Sequence, residues 1–230
     1  MSYVDRAVVL AAGLGTRLKW LTSGSPKALM DVAGEAAIVR VIRGLAGQGI
    51  HDIAINVHHH AEKLIAALGD GSRYGVRLYF SREQELLDSG GGVRRAMELL
   101  PGEGLLAVHN ADVLADIDLQ KLAGAAPPLG GALALVGNPY HHPAGDFSLT
   151  NGRVVERSGR NFTYSGVSVW DQDALANYRK NSCFPLTIPI KDIMDRELLA
   201  GSLHRNYWFD VGRPKDLMLA RSAYAASNQT

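Results

Sequence analysis

The chain has 230 residues, of which 47% are hydrophobic and 20% are charged, and its formal net charge is +1. This composition is typical of a globular protein and provides no basic footprint for nucleic acid. No segment approaches the roughly 20 apolar residues of a membrane-spanning helix, and the single cysteine, Cys183, excludes an internal disulfide and fits a reducing compartment. We therefore expect a cytoplasmic protein that binds neither nucleic acid nor membranes.

The first half of the chain alternates strand and helix patterns. Short apolar runs predict strands over residues 7–12, 52–57, 75–81 and 104–112. Helical spacing of apolar residues predicts helices between them, over residues 36–49, 61–69 and 91–102. This order predicts an α/β fold with a doubly wound, mostly parallel, Rossmann-like sheet.

The second half changes character. Residues 147–158 predict a hairpin that turns at Asn151 and Gly152, and residues 163–170 predict a further strand. Residues 189–201 predict a helix, residues 204–211 a strand, and residues 213–227 a closing helix with Pro214 near its start. No linker or low-complexity segment interrupts the sequence, so we expect residues 1–230 to form one domain with an elaborated C-terminal third.

The stretch LAAGLGTRLKWLTSGSPKALMDVAG, residues 10–34, follows the first predicted strand and resembles a phosphate-binding loop. A P-loop would need a lysine followed by serine or threonine, but Lys27 is followed by Ala28. A dinucleotide fingerprint that begins at Gly13 and Gly15 would need a third glycine where Leu18 stands. Both of these loops are therefore disfavoured.

A third phosphate-binding arrangement fits the same stretch. Gly13 and Gly15 allow backbone N–H groups to approach the phosphates of a nucleotide, because no Cβ obstructs them. The guanidinium of Arg17 can bind two phosphates at once, and Lys27 can place a point charge beside the phosphate under attack. These groups together indicate nucleotidyl transfer.

The same stretch resembles the signature of the sugar-1-phosphate nucleotidyltransferases, also called nucleoside-diphosphate-sugar pyrophosphorylases. Further motifs follow in order over roughly residues 7 to 220: ELLDSGGGVRRAMELLPG, HNADV, NPYHHPAGDFSL, YSGVSVW and WFDVGRPKDL. They are similar to the short branch of the family that acts on N-acetylmuramate 1-phosphate. The resemblance implies a GT-A-like fold with a nucleotide-binding half at about 1–115 and a sugar-binding half at about 116–225.

The resemblance also implies roles for individual residues. The expected catalytic residues are Arg17, Lys27, Asp112 and Asp210, of which Asp112 and Asp210 would bind Mg²⁺. The expected nucleotide-binding residues are Ala11, Ala12, Gly13, Gly15, Thr16, Arg17, Lys27, Glu83, Glu85, Gly90 and Gly91. The expected substrate-binding residues are Asn110, Asp146 and Gly166.

Elementary chemistry supports a magnesium-dependent reaction of this kind. A nucleoside triphosphate and a sugar 1-phosphate are both polyanions, and a magnesium ion held by carboxylate oxygens offsets part of their charge. The sugar phosphate is already ionised at neutral pH, so it needs no general base. Positioning and charge stabilisation then carry the reaction. The resemblance implies UTP as the donor, a role in recycling cell-wall amino sugars, and a monomer, because relatives of this length lack a long C-terminal extension.

Two alternatives remain open. One is a guanylyltransferase that acts on mannose or heptose 1-phosphate, because the identity of the base depends on a few contacts in residues 81–92. The other is a catalytically silent nucleotide-binding module, which the presence of all four expected catalytic residues disfavours. The histidine runs at 58–60 and 141–142 do not indicate zinc, because consecutive side chains on a strand point to opposite faces.

Overall fold

The computed structural model describes residues 3–13 and 25–227. The strands are β1 (Arg6–Leu10), β2 (Asp31–Val32), β3 (Glu35–Ala36), β4 (Asp52–Val57), β5 (Arg77–Arg82), β6 (Leu105–Asn110), β7 (Val113–Ala115), β8 (Gly131–Val136), β9 (Phe147–Thr150), β10 (Arg153–Val155), β11 (Asn161–Asp171), β12 (Leu199–Leu203) and β13 (Trp208–Asp210). The helices are α1 (Ala37–Ala46), α2 (Ala61–Leu68), α3 (Asp88–Ala96), α4 (Leu119–Ala125), α5 (Gln172–Ala176), α6 (Thr187–Asp195) and α7 (Pro214–Ser227). Single 3₁₀ turns cover Lys27–Leu29, Ser72–Tyr74 and Met97–Leu99.

The core of the fold is a nine-stranded sheet in the order β5-β4-β1-β6-β11-β8-β12-β10-β9. Strands β5, β4, β1 and β6 are parallel to one another. Strand β11 is antiparallel to both β6 and β8, and β12 is again parallel to β8. Helices pack on both faces, where two apolar clusters are buried. The predicted doubly wound α/β fold is confirmed, with a sheet that is parallel from β5 to β6 and mixed beyond β6.

The local sequence accounts for the best-predicted elements. Strand β1 reads RAVVL and is buried along its length because its neighbours cover both of its edges and helices cover its faces. Helix α1 buries one apolar stripe, which includes Ile38, Ile42 and Leu45. The β9–β10 hairpin turns at Asn151 and Gly152, whose φ angles of 50° and 77° are both positive, as a type I′ turn requires.

One predicted element was wrong in part. The helix predicted over residues 189–201 ends at Asp195, and Leu199–Leu203 forms β12 instead. Glu197 adopts a left-handed φ of 58°, which stops the helix, and Leu199 is then buried where β12 pairs with β8. Tertiary pairing therefore overrides the helical pattern of these residues.

The topology positions the candidate site at one edge of the sheet. Parallel strands β1, β4 and β6 all end at this edge, and the segments that follow them carry Ala11 to Gly13, His58 and Asp112. Open α/β sheets bind their ligands at the carboxyl ends of such strands. In the part of the chain that the structure describes, no helix is both long and apolar enough to cross a membrane.

Candidate active site

Lys27 and Asp112 lie in direct contact although 85 residues separate them in the sequence. Lys27 begins a 3₁₀ turn after Pro26, and Asp112 follows the end of β6. The ammonium of Lys27 donates to Oδ2 of Asp112, and the two side chains are 16% and 25% exposed. The ion pair is thus partly shielded from water but remains accessible from one side.

Asp210 is brought to this pair by a small second sheet. Strands β7 and β13 are antiparallel, with Asp210 opposite Val113, and the backbone N–H of Val211 donates to the carbonyl of Asp112 at 2.9 Å. The backbone N–H of Gly212 donates to Oδ1 of Asp210 at 3.0 Å. The two carboxylates expected to bind the metal therefore lie at neighbouring positions of one two-stranded unit.

Gly212 is needed for this close approach. A Cβ at position 212 would collide with Nζ of Lys27 and would lie 2.7 Å from Oδ1 of Asp210. These distances are shorter than carbon–oxygen and carbon–nitrogen contacts in folded proteins allow. The glycine in the motif FDVG therefore provides the space in which the lysine and the two aspartates meet.

Two carboxylates, those of Asp112 and Asp210, lie near the single positive charge of Lys27. Burial raises the pKa of Asp210, the negative charge of Asp112 raises it further, and Lys27 only partly offsets both effects. A divalent cation would supply the missing charge, and carboxylate oxygens are the ligands that Mg²⁺ prefers. Within residues 3–13 and 25–227, no three acidic, histidine or cysteine side chains group into a metal site. The pair fits Mg²⁺, which commonly takes one or two protein carboxylates and completes its shell with water and phosphates.

A cleft of about 240 Å³ opens beside Asp112. Its lining includes four residues expected from the sequence: Ala12, Gly13, Asn110 and Asp112. The other lining residues are Leu10, Asn56, Leu86, Asp88 and Ser89. Asn56 was not expected from the sequence, although a polar residue near the carboxyl end of the predicted strand over 52–57 is a usable signal for a ligand-binding position.

The backbone at the end of β1 is fixed by the side chain of Asn56. The N–H groups of Ala11 and Ala12 donate to Oδ1 of Asn56 at 2.7 and 3.3 Å. Gly13 is exposed, and a Cβ there would meet no atom of the described residues within 4 Å. The hydrogen bonds to Asn56 therefore fix the backbone of Ala11 and Ala12, while Gly13 remains open towards the cleft.

Gly166 and Asn110 lie side by side on the paired strands β11 and β6. Gly166 has a φ of 86°, and a Cβ there would lie 2.5 Å from Nδ2 of Asn110. This contact places both expected substrate residues next to Asp112. The roles of Asn110 and Gly166 in binding a substrate remain predictions.

Asp146 lies at a second cleft, of about 450 Å³. Its carboxylate accepts from the backbone N–H of Tyr164, two residues before Gly166, and contacts Nε2 of His142 at 2.9 Å. The cleft is lined by Asp146, Phe147, Glu156, Arg157, Thr187, Ile190, Lys191 and Met194. The backbone N–H of Leu186, next to Thr187, donates to Oγ of Ser89 at 2.9 Å, so a hydrogen bond links the chain beside the second cleft to the wall of the first.

The glycines expected to approach the base have other neighbours in the structure. The N–H groups of Gly90 and Gly91 both donate to the carbonyl of Phe184. A Cβ at Gly90 would lie 2.5 Å from the Phe184 ring, and one at Gly91 would collide with the carbonyl of Ser182. The close approach that these glycines permit is therefore to the backbone around 182–184, and their contact with a nucleotide remains a prediction.

The two expected acidic residues of this segment differ in exposure. Glu83 is buried and accepts from Nδ2 of Asn56, whereas Glu85 is exposed. Glu83 therefore lies behind Asn56 relative to the cleft. The predicted contacts of Gly15, Thr16 and Arg17 lie outside the described residues.

A further polar group lies beside Asp210 and was not expected from the sequence. Nε of Arg213 lies 3.8 Å from Oδ2 of Asp210, and Nδ1 of His141 lies 3.9 Å from Oδ2 of Asp216. Burial lowers the pKa of His141, and the charge of Arg213 lowers it further. Within the described ranges, these atoms of Arg213, His141 and Asp216 are buried without a hydrogen-bond partner. The polar edge of the site thus extends from Asp210 to the start of α7.

The sequence matches a family model and known proteins. Residues 6–151 match the family model described as nucleotidyl transferase. The chain is 36% identical to the N-acetylmuramate alpha-1-phosphate uridylyltransferase of Neisseria meningitidis serogroup B over 215 residues, which are 90% of this chain and 93% of that protein. It is 29% identical to the mannose-1-phosphate guanyltransferase of Debaryomyces hansenii over 95% of this chain, but it spans only 64% of that longer protein.

Solved structures share the fold at lower sequence identity. HddC from Yersinia pseudotuberculosis, complexed with GMP-PN, superposes with a TM-score of 0.80 at 21% identity, over 96% of this chain and 100% of that one. The inositol-1-phosphate CTP transferase from T. maritima superposes with a TM-score of 0.81 at 17% identity, over 97% and 96% of the two chains. At these identities the likeness concerns the fold alone.

Proposed function

The chain belongs to the nucleotidyl transferase family, and from this premise we propose that it transfers a uridylyl group from UTP to N-acetylmuramate 1-phosphate. The observation that carries the proposal is the meeting of Lys27, Asp112 and Asp210 where Asp112 lines a cleft at the carboxyl ends of the parallel strands. The 36% identity to a uridylyltransferase over almost the whole chain supports the choice of donor and acceptor.

The proposed reaction is an in-line substitution at the α-phosphorus of UTP. An ionised oxygen of the sugar 1-phosphate forms the new P–O bond, the bond to the β-phosphate breaks, and pyrophosphate leaves with the electron pair. Lys27 is positioned to stabilise negative charge on the phosphates, because its ammonium is held at the edge of the cleft by Asp112. The backbone of Ala12 and Gly13 and the amide of Asn110 would orient the two substrates.

We also propose that Asp112 and Asp210 hold Mg²⁺. When bound, the ion would offset the charge of the two phosphate groups that must approach each other. The raised pKa of Asp210 supports this assignment, because it reflects a buried carboxylate that also lies near the negative charge of Asp112. Nε of Arg213, 3.8 Å from Asp210, adds positive charge on the far side of the same carboxylate.

The basic residues that line the second cleft support an acceptor sugar that carries a carboxylate in addition to its phosphate. N-acetylmuramate carries a lactyl carboxylate, which neutral hexoses lack. Arg157 and Lys191 both line this cleft, and neither has an ion-pair partner within the described residues. A bound carboxylate would find two available cations there, next to Asp146 and to the chain that leads to Gly166. The product would be a nucleotide sugar suited to the recycling of cell-wall amino sugars.

The test is a grid of pyrophosphate-release assays with Mg²⁺. It crosses UTP, GTP, CTP, dTTP and ATP with N-acetylmuramate, N-acetylglucosamine, glucose and mannose 1-phosphates. We expect turnover with UTP and N-acetylmuramate 1-phosphate, and a loss of at least about a hundredfold in kcat for Lys27→Ala, because a preorganised charge near the reacting phosphate is removed. Lys121→Ala, at an exposed lysine of α4, is the matched control and should keep the wild-type rate.

The other outcomes identify the rival functions. Preferred turnover of GTP with mannose 1-phosphate would favour the second candidate, a mannose-1-phosphate guanylyltransferase, which the 29% identity to the Debaryomyces hansenii protein supports. A folded protein that binds a nucleotide but releases no pyrophosphate anywhere in the grid would reject catalysis and favour a binding module.

A further inference from the structure

Asn56 is hydrogen-bonded at both ends of its side-chain amide. Its Oδ1 accepts from the N–H groups of Ala11 and Ala12, and its Nδ2 donates to Oε1 of Glu83 at 2.8 Å. Asn56 is the next-to-last residue of β4 and is only 3% exposed, yet it forms part of the lining of the 240 Å³ cleft. The amide therefore links the backbone that faces the cleft to a buried carboxylate behind it.

Glu83 completes this link from a buried position. It is 5% exposed, its Oε1 accepts from Asn56, and its Oε2 accepts from the N–H of Leu87 at 3.0 Å. No cationic side chain of the described residues lies within ion-pair distance of it. A buried carboxylate without a counter-charge is costly unless hydrogen bonds hold it. Such a bond to a charged acceptor is stronger than a neutral one, so the carboxylate fixes the direction of the Asn56 amide.

Gly92 allows α3 to pack directly onto the pair. A Cβ at position 92 would lie 2.5 Å from Nδ2 of Asn56 and 3.0 Å from Oε1 of Glu83. Helix α3 also brings Asp88 and Ser89 to the cleft. The pair of Asn56 and Glu83 is thus the point at which the end of β1 and the start of α3, two walls of the cleft, are tied together.

We propose that Glu83 is a positioning residue for the nucleotide, which acts through Asn56 by holding the backbone of Ala11 and Ala12 in the conformation that receives the substrate. Each oxygen of Glu83 already accepts a hydrogen bond within the protein, and the residues that line the cleft include Asn56 but not Glu83, so the role assigned to Glu83 is indirect. The proposal requires only that the cleft beside Asp112 binds the nucleotide, and it holds for any nucleotide and acceptor sugar. A backbone that already has its bound conformation strengthens nucleotide binding, because less ordering is needed, but it takes no part in the bond-forming step.

The test exchanges the amide of position 56 and the carboxylate of position 83, first one at a time and then together. Glu83→Gln alone places an NH₂ group opposite either the NH₂ group of Asn56 or the N–H of Leu87, and Asn56→Asp alone turns a carboxylate towards Glu83. In the double variant Asn56→Asp/Glu83→Gln, the new amide donates to the new carboxylate, whose other oxygen accepts from Ala11 and Ala12, and the second oxygen of position 83 still accepts from Leu87. Every hydrogen bond of the original arrangement is restored, and the negative charge has moved from position 83 to position 56.

We expect each single variant to raise the KM for the nucleotide about tenfold or more, with kcat and the KM for the acceptor within about twofold of wild type. The double variant should recover most of the nucleotide KM. Glu103→Gln, at an exposed glutamate before β6, is the control for loss of one negative charge and should match wild type. Thermal unfolding of each variant separates loss of binding from loss of fold.

Three results would overturn the proposal. The first is an unchanged nucleotide KM in a folded single variant, and the second is a double variant no better than the singles. The third is a changed preference between UTP and GTP in Glu83→Gln, which would indicate that Glu83 contacts the base. Where Glu83→Gln does not fold, Asn56→Ala is measured in its place. It leaves space instead of opposed donors, and the same rise in nucleotide KM is required of it.

Discussion

Single residues set the charge balance of the active site. Asp112, Asp210 and the ammonium of Lys27 meet in a space that Gly212 leaves free, and Arg213 lies behind Asp210. Burial and the neighbouring charge of Asp112 both disfavour the ionised form of Asp210. A cation bound between the two carboxylates, as proposed above, would offset this cost.

Asp210→Asn should separate stability from function. The folded protein has a raised pKa for Asp210, so it holds this proton more tightly than the unfolded chain, whose aspartate has the ordinary value of 3.8. As pH rises from 3.8 through the raised pKa, ionisation of Asp210 reduces stability, and the loss is complete once the pH exceeds that raised pKa. In the presence of a chelator at pH 7, we expect Asp210→Asn to melt at or above the wild-type Tm, with turnover reduced at least about a hundredfold.

Added Mg²⁺ provides the second readout for this variant. It should raise the Tm of the wild-type protein, because an ion that binds only the folded state stabilises it, and should leave Asp210→Asn almost unchanged. Asp195→Asn, at an exposed aspartate that ends α6, is the matched control and should behave as wild type. Full turnover in Asp210→Asn, or an equal response of its Tm to Mg²⁺, would rule out a role for Asp210 in metal binding.

At the scale of elements, the sequence predicted what local patterns encode. Apolar runs and helical spacing identified β1, β4, β5, β6 and the helices between them, and Asn151 with Gly152 identified the hairpin. The strand predicted over residues 204–211 is present only as the three-residue β13, and the three-residue β7 was not predicted, because the extent of both depends on their pairing with each other across the chain. The meeting of Asp112 and Asp210 could thus be expected from the family resemblance but not from periodicity. Asn56 was missed because its role appears only when β4 lies beside β1.

Gly91→Ala tests whether the glycines of α3 serve packing. A Cβ there would collide with the carbonyl of Ser182 and lie 3.0 Å from Cβ of Leu87, so the chain around 182–184 would have to move. We expect a loss of about 1–3 kcal/mol in the free energy of unfolding, as overpacked sites show. Urea denaturation measures this loss, and a constant m value would indicate that the unfolded state is unchanged.

The control for this substitution is Gly124→Ala in α4. A Cβ at Gly124 would meet no atom of the described residues within 4 Å outside the backbone of its own helix, so alanine should stabilise the helix by about 0.5–1 kcal/mol. If Gly91→Ala kept wild-type stability and raised only the KM for the nucleotide, the packing role would be refuted and direct contact with the nucleotide favoured.

The whole molecule is organised by one sheet that both halves of the chain build. Strand β11, from the second half, pairs with β6 of the first half over five residues, from Val167 opposite His109 to Asp171 opposite Leu105. Strands β7 and β13 join the halves a second time, at the active site itself. The edge strand β5 carries Arg77 and Arg82, which pair with Asp52 and Glu62, and charged edges discourage pairing with another chain.

This arrangement predicts a monomer that unfolds in a single step. If the halves at about 1–115 and 116–225 shared only a linker, each would melt separately. Because they share the sheet, loss of β11 would expose β6, and neither half should persist alone. Urea unfolding followed by far-ultraviolet circular dichroism, which reports on the whole chain, should coincide with unfolding followed by fluorescence, to which the fully buried Trp170 of β11 contributes. The midpoint should not change with protein concentration, since dissociation would shift it. Two separated transitions would indicate two domains, and a midpoint that rises with concentration would indicate an oligomer.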